Sequence, residues 1–281
     1  MDLLNIIQEI EKVDPEFQEK ISPRRAAIKN ITSFGSKVAV AALPFALGSL
    51  FKKAYAQQST TDIAGILNFA LTLEYLESNF YNTGLGTTAL TAQATAADLT
   101  SLRLIQTDEN NHVKFLVQTI RSLGATPIGP LAASYFDFTG KGTFRDVFSN
   151  ITTFLAVAET FEDTGVRAYK GQAPNLLRNQ MILTAALNIH SVEARHAAEL
   201  RILRRAKGAT LKPWITGAND TGVSAVDKTY AGEDNVMQGG VSITGLASVG
   251  GTTTASAAAT EAFDEPLDRA AVLAIVTPFI R

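Results

Sequence analysis

LRLIQTDENNHVKFL, residues 102–116, decides how this chain is read. Leu102, Ile105, Glu109, His112 and Leu116 follow one another at steps of three and four, the spacing that lines one face of an α-helix. A carboxylate and an imidazole therefore fill two adjacent positions of a stripe that should be apolar. A carboxylate loses several kcal/mol on leaving water unless a partner or a metal recovers it. The insertion recurs in Ala186, Ile189, Glu193, His196, Leu200 and Leu203. Two such insertions, in two helices, call for a shared partner.

Working outward, helical spacing runs from Thr61 to Lys207 and predicts four helices, at about 61–82, 94–123, 143–171 and 176–207. Gly84-Leu85-Gly86 stops the first, Gly124 with Pro127 and Pro130 the second, Gly171 and Pro174 the third, and Gly208 with Pro213 the fourth. The connections run short, long, short. The long one, Gly124 to Gly142, suits an overhead crossover between parallel second and third helices. The fold class expected is all-α, a four-helix bundle with this crossover and an irregular C-terminal tail. Beyond Pro213 the sequence turns to Gly, Thr, Ala and Ser, which predicts irregular chain to about residue 260 and a short apolar helix near Leu267–Val276.

The first and third helices supply partners for the inserted pairs. Leu67, Ala70, Glu74, Glu77 and Tyr81 form one stripe, and Leu155, Glu159, Glu162, Val166 and Tyr169 another. Glu74 has Tyr81 seven residues later and leads to Glu109-x-x-His112; Glu162 has Tyr169 seven later and leads to Glu193-x-x-His196. A duplicated helical hairpin packed on its copy brings two Glu and two Glu-x-x-His pairs to one pseudo-twofold centre, the ligand set of di-iron and di-manganese carboxylate bundles. The bland reading is a buried Glu–His ion pair in each helix, with no metal.

Composition narrows the chemistry. The chain has 281 residues, no cysteine and a net charge of −2. Thiolate sites and disulfides are excluded, and nothing favours nucleic acid. Oxygen and imidazole donors suit two Fe or Mn ions, whose redox cycling fits oxygen or peroxide as partner.

Residues 1–56 read as a leader. Ser22-Pro23-Arg24-Arg25-Ala26-Ala27-Ile28-Lys29 precedes an apolar run from Val38 to Phe51 and the small-x-small site Ala54-Tyr55-Ala56, so the mature chain is expected to start at Gln57. This is similar to a twin-arginine signal, with Pro23 and Ala27 departing from the usual pattern. Ordinary secretion is the alternative. A membrane anchor is disfavoured because the apolar run is shorter than the roughly 20 residues that span a bilayer. The expectation is export to the periplasm or beyond by dedicated machinery.

These motifs resemble the ferritin-like superfamily, which includes bacterioferritins and rubrerythrins, and most closely its exported branch related to plant desiccation-associated proteins. The resemblance covers about residues 60–208 and rests on Leu73-Glu74-Tyr75-Leu76-Glu77 with Phe80-Tyr81, Asp108-Glu109-Asn110-Asn111-His112-Val113, Leu155 through Val166 with Ala168-Tyr169, and Val192-Glu193-Ala194-Arg195-His196-Ala197. It implies six metal ligands, Glu74, Glu109, His112, Glu162, Glu193 and His196, bridged by Glu109 and Glu193 or by Glu74 and Glu162. Glu77 or Glu159 belongs to the alternative register. It implies oxidase, peroxidase or catalase-type chemistry, with a non-catalytic, stress-related or structural bundle as the competing class. His190 reads as packing or outer-sphere, Tyr81 and Tyr169 as core or as donors to the glutamates, Arg195 and Asp163 as surface charge, and Trp214 as a cover for a bundle end.

Overall fold

The computed structural model describes residues 60–247 and 253–281, so the expected leader lies outside the described residues. Four long helices carry the architecture: α1 (Thr60–Leu85), α2 (Ala96–Ser122), α3 (Ile151–Gln172) and α4 (Gln180–Ala206). Local chemistry sets their ends. Thr95 and Asp98 exchange side-chain and backbone hydrogen bonds in a capping box ahead of α2. Asn150 caps α3 by accepting from the Thr152 amide at 3.0 Å, and Asn179 caps α4 by accepting from Ile182 at 3.1 Å. Gly124, at φ 73°, takes the left-handed turn that releases the chain from α2. Two helices start later than the spacing predicts. Residues 143–149 form turns ahead of the Asn150 cap, and a 3-10 turn at Ala173–Leu176 precedes α4.

Around the bundle the order is α2, α1, α3, α4, with α4 closing back on α2. α3 is the centre of the molecule, since every residue from Phe154 to Tyr169 is buried. The crossover is pinned to α1, where Asn68 Oδ1 accepts from the Ile128 amide at 2.8 Å and Asn79 donates to the Leu131 carbonyl at 3.0 Å. Its aromatic residues close over Phe80, with Phe138 and Phe148 ring centroids at 5.6 and 5.5 Å.

The tail is tightly attached to the bundle. It contains a 3-10 turn at Ser224–Tyr230, a two-residue hairpin β1 (Met237–Gln238) and β2 (Val241–Ser242), and helices α5 (Ser256–Glu261) and α6 (Arg269–Val276). Three buried guanidinium groups tie it down. Arg167 donates to the carbonyls of Thr229, Ala231 and Glu265 and pairs with Glu233 at 2.7 Å. Arg201 pairs with Asp163 at 2.8 Å and Asp220 at 2.9 Å. Arg204 pairs with Glu159 at 2.8 Å and donates to the Thr221 carbonyl. Asp163 is thus a buried partner of Arg201 and the Tyr230 hydroxyl, not the surface charge its sequence position suggested. Trp214 is half exposed, and Arg195 is exposed as expected.

Candidate metal centre

Each helix brings one part of the centre. α1 contributes Glu74, α2 Glu109 and His112, α3 Glu162, and α4 Glu193 and His196; all four glutamates are fully buried. His112 Nδ1 lies 3.2 Å from Glu74, 3.3 Å from Glu109 and 3.3 Å from Glu193. His196 Nδ1 lies 2.9 Å from Glu109, 3.1 Å from Glu162 and 3.8 Å from Glu193. The two rings are 6.3 Å apart. All six sequence-predicted residues therefore meet, in two overlapping clusters. Glu74, Glu109, His112 and Glu193 each offer one atom within 4.8 Å of the others, as do Glu109, Glu162, Glu193 and His196. Glu109 and Glu193 are common to both.

The tyrosines cross between halves. The Tyr81 hydroxyl donates to Glu162 at 2.5 Å, and the Tyr169 hydroxyl donates to Glu74. Seven residues along a helix is about 10 Å, too far for either tyrosine to reach its own glutamate. The crossing also fixes direction. Tyr81 beside Glu162 and Tyr169 beside Glu74 require α1 and α3 to run antiparallel, so α2, the return limb of the first hairpin, runs parallel to α3. That is the geometry the long crossover was expected to permit.

Electrostatics describe a centre short of positive charge. Burial, reinforced by the charges of Glu193 and Glu162, holds Glu77 and Glu109 well above the usual carboxylate range. Burial also pushes Glu162 up to about 7, against the pull of His196. Burial opposes a charged ring at both histidines, but the surrounding carboxylates outweigh it and raise both. A single Nδ1 proton satisfies one acceptor at most, and Glu109 Oε1 and both Glu193 oxygens are buried with no hydrogen bond. Orphaned hard oxygens facing two imidazole nitrogens fit divalent metal ions.

Sequence reasoning left two registers open. Glu159 lies in neither cluster and is engaged by Arg204 and Arg201. Glu77 is buried beside the centre: a Cβ placed on Gly165 would meet Glu77 Oε1 at 3.4 Å and Glu193 Oε2 at 3.6 Å. His190 Nδ1 donates to the Val166 carbonyl at 2.9 Å, and the residue belongs to neither cluster. One residue gained a role that its spacing did not announce. Asp108 stands 3.2 Å from His196 Nε2 and leaves Nδ1 for the carboxylates, the usual way an outer carboxylate fixes an imidazole.

A helical bundle whose interior gathers acids and imidazoles from all four helices defines the class of protein. Within it, this chain belongs to the ferritin-like domain family, whose model matches residues 62–206. No curated protein and no solved structure matches the chain. The buried acidic and histidine clusters of this family member are of a kind that can hold metal ions.

Proposed function

We propose that the bundle holds two iron or manganese ions, liganded by Glu74, Glu109, His112, Glu162, Glu193 and His196, with Glu109 and Glu193 shared between them, and that it carries out redox chemistry with oxygen or peroxide. The supporting observation is the overlap of two four-residue clusters on Glu109 and Glu193, where Glu109 Oε1 and both Glu193 oxygens are buried without a hydrogen bond. Such ions, when bound, supply one-electron steps. The chain's own residues prepare the place. Four carboxylates offset the charge of two divalent ions. Tyr81 and Tyr169 hold the outer glutamates in orientation, Asp108 fixes the His196 ring, and burial excludes bulk water. Elemental analysis of purified protein tests this reading: about two ions per chain are expected, and metal-free protein after loading with ferrous or manganous salt refutes it.

Export is part of the proposal, supported by the arginine pair, the apolar run and the small-residue site in residues 22–56. Changing Arg24 and Arg25 together to Lys is expected to trap full-length precursor in the cytoplasm. Mature chain outside the membrane in that variant refutes the twin-arginine route.

A further inference from the structure

The pseudo-twofold relation maps each residue of α1 onto the one 88 further along in α3, Glu74 onto Glu162 and Tyr81 onto Tyr169. Against this symmetry, the surroundings of the two tyrosines differ. Tyr81 is fully buried beside an aromatic stack: Phe80 lies at 5.8 Å and Phe154 at 6.1 Å, the two stacked on each other at 4.7 Å, with Phe161 edge-on to Phe80 at 5.2 Å. The equivalents of Phe80, Phe154 and Phe161 are Ala168, Ile66 and Leu73. Those three smaller residues, with Ala70, Ala186 and the Tyr169 ring, line a cavity of about 20 Å³ between α1, α3 and α4. Phe69 also lines it, but the three positions that carry phenyl rings on the Tyr81 side carry none here. Apart from the Gln172 side chain and the phenol of Tyr169, whose hydroxyl is already given to Glu74, the lining is apolar.

We infer that this cavity is a holding site for dioxygen on its way to the centre, an inference that rests on the proposed metal-dependent redox role and chooses between its two oxidants. A volume near 20 Å³ exceeds the roughly 10–15 Å³ that one water-sized molecule needs, and the almost wholly apolar lining offers a water few partners. Peroxide would surrender its hydrogen bonds to water in such a place and find almost no partners. Dioxygen has none to lose. The Tyr169 ring forms the inner wall and Leu73 is next in sequence to Glu74, so a molecule in the cavity is one side chain away from the centre.

The test uses dioxygen itself as probe. In full-length, metal-free protein with labelled methyl groups, raised oxygen pressure should relax the Ala168 and Ala186 methyls several-fold more than Ala158, the symmetry mate of Ala70 on the Tyr81 side. Equal relaxation of all three overturns the inference. Ala168→Phe, which restores the ring present at Phe80, should abolish the excess at Ala186. In iron-loaded protein it should also slow oxidation of bound ferrous iron by oxygen several-fold while leaving oxidation by peroxide unchanged. Both oxidants slowing equally, or neither, also overturns it. Should that variant fail to fold, Ala168→Leu and Ala186→Leu probe the same space with smaller side chains. Failure to bind iron refutes the metal reading alone, because the metal-free relaxation measurement still decides the cavity.

Discussion

Replacing Arg201 by Met removes the cation on which most of the buried acids of the α3–α4–tail junction depend. The guanidinium is 1 % exposed and pairs with Asp163, Asp220 and Glu159, whose side chains are 5 %, 16 % and 0 % exposed. After the change Glu159 still has Arg204 and Asp163 still has the Tyr230 hydroxyl, but Asp163 and Asp220 lose the guanidinium that pairs with them. Breaking a buried pair on one side costs about 3–5 kcal/mol, because the remaining charge is left uncompensated. In a domain of this size each kcal/mol moves the melting midpoint by about 2–4 °C, so a fall of roughly 6–20 °C is expected. Urea titration of wild type and variant measures the loss. Arg205, one position on and exposed, supplies the control: Arg205→Met should stay within about 0.5 kcal/mol of wild type. If Arg201→Met costs no more than that control, the ion pairs do not hold the tail to the bundle.

Three further outcomes can be checked directly. Glu193→Ala removes a donor common to both clusters and should abolish metal uptake, whereas His112→Ala should spare part of it; equal, full stoichiometry in both variants refutes the ligand assignment. Metal-free protein should lose stability as pH rises from 4.5 through about 7, because burial raises the folded-state affinity of Glu162 for its proton above that of the unfolded chain, and Glu77 and Glu109 act in the same sense. Denaturant midpoints that increase across this window contradict the sign, and bound metal should flatten the dependence. Gly171→Ala would set a Cβ 1.9 Å from the Leu267 carbonyl oxygen, so the tail must shift; a loss of about 2 kcal/mol or more and faster proteolysis after residue 208 are expected, and unchanged proteolysis refutes the close approach.

The centre was legible in the sequence because its residues break a pattern. Glu109, His112, Glu193 and His196 interrupt apolar stripes, and an interruption that recurs at matched spacing is information that periodicity alone does not provide. The start of α3 was misread for the opposite reason. Phe144, Val147 and Phe148 keep helical spacing, but they serve turns that bury Phe144 and Val147, and the extended backbone of Asn150 interrupts the pattern and starts the helix anew at Ile151. Apart from the short apolar helix read near Leu267–Val276 and found at Arg269–Val276, the tail offered no periodicity. Its order comes from buried arginines on α3 and α4 reaching carbonyl groups far along the chain, and sequence spacing does not record which distant carbonyl a guanidinium will meet. Asp163 shows the same limit: one residue from Glu162, it points at a different cluster.

The crossed tyrosines make the two hairpins mutually dependent. A hairpin alone leaves its tyrosine without the glutamate it donates to and its outer glutamate without the tyrosine that donates to it. Each copy is therefore the other's missing part, as the two chains of a symmetric dimer would be, joined here by a covalent crossover. The likeness stops where the shared contacts do not require it: Phe80 on one side belongs to an aromatic stack, and its counterpart Ala168 lines a cavity.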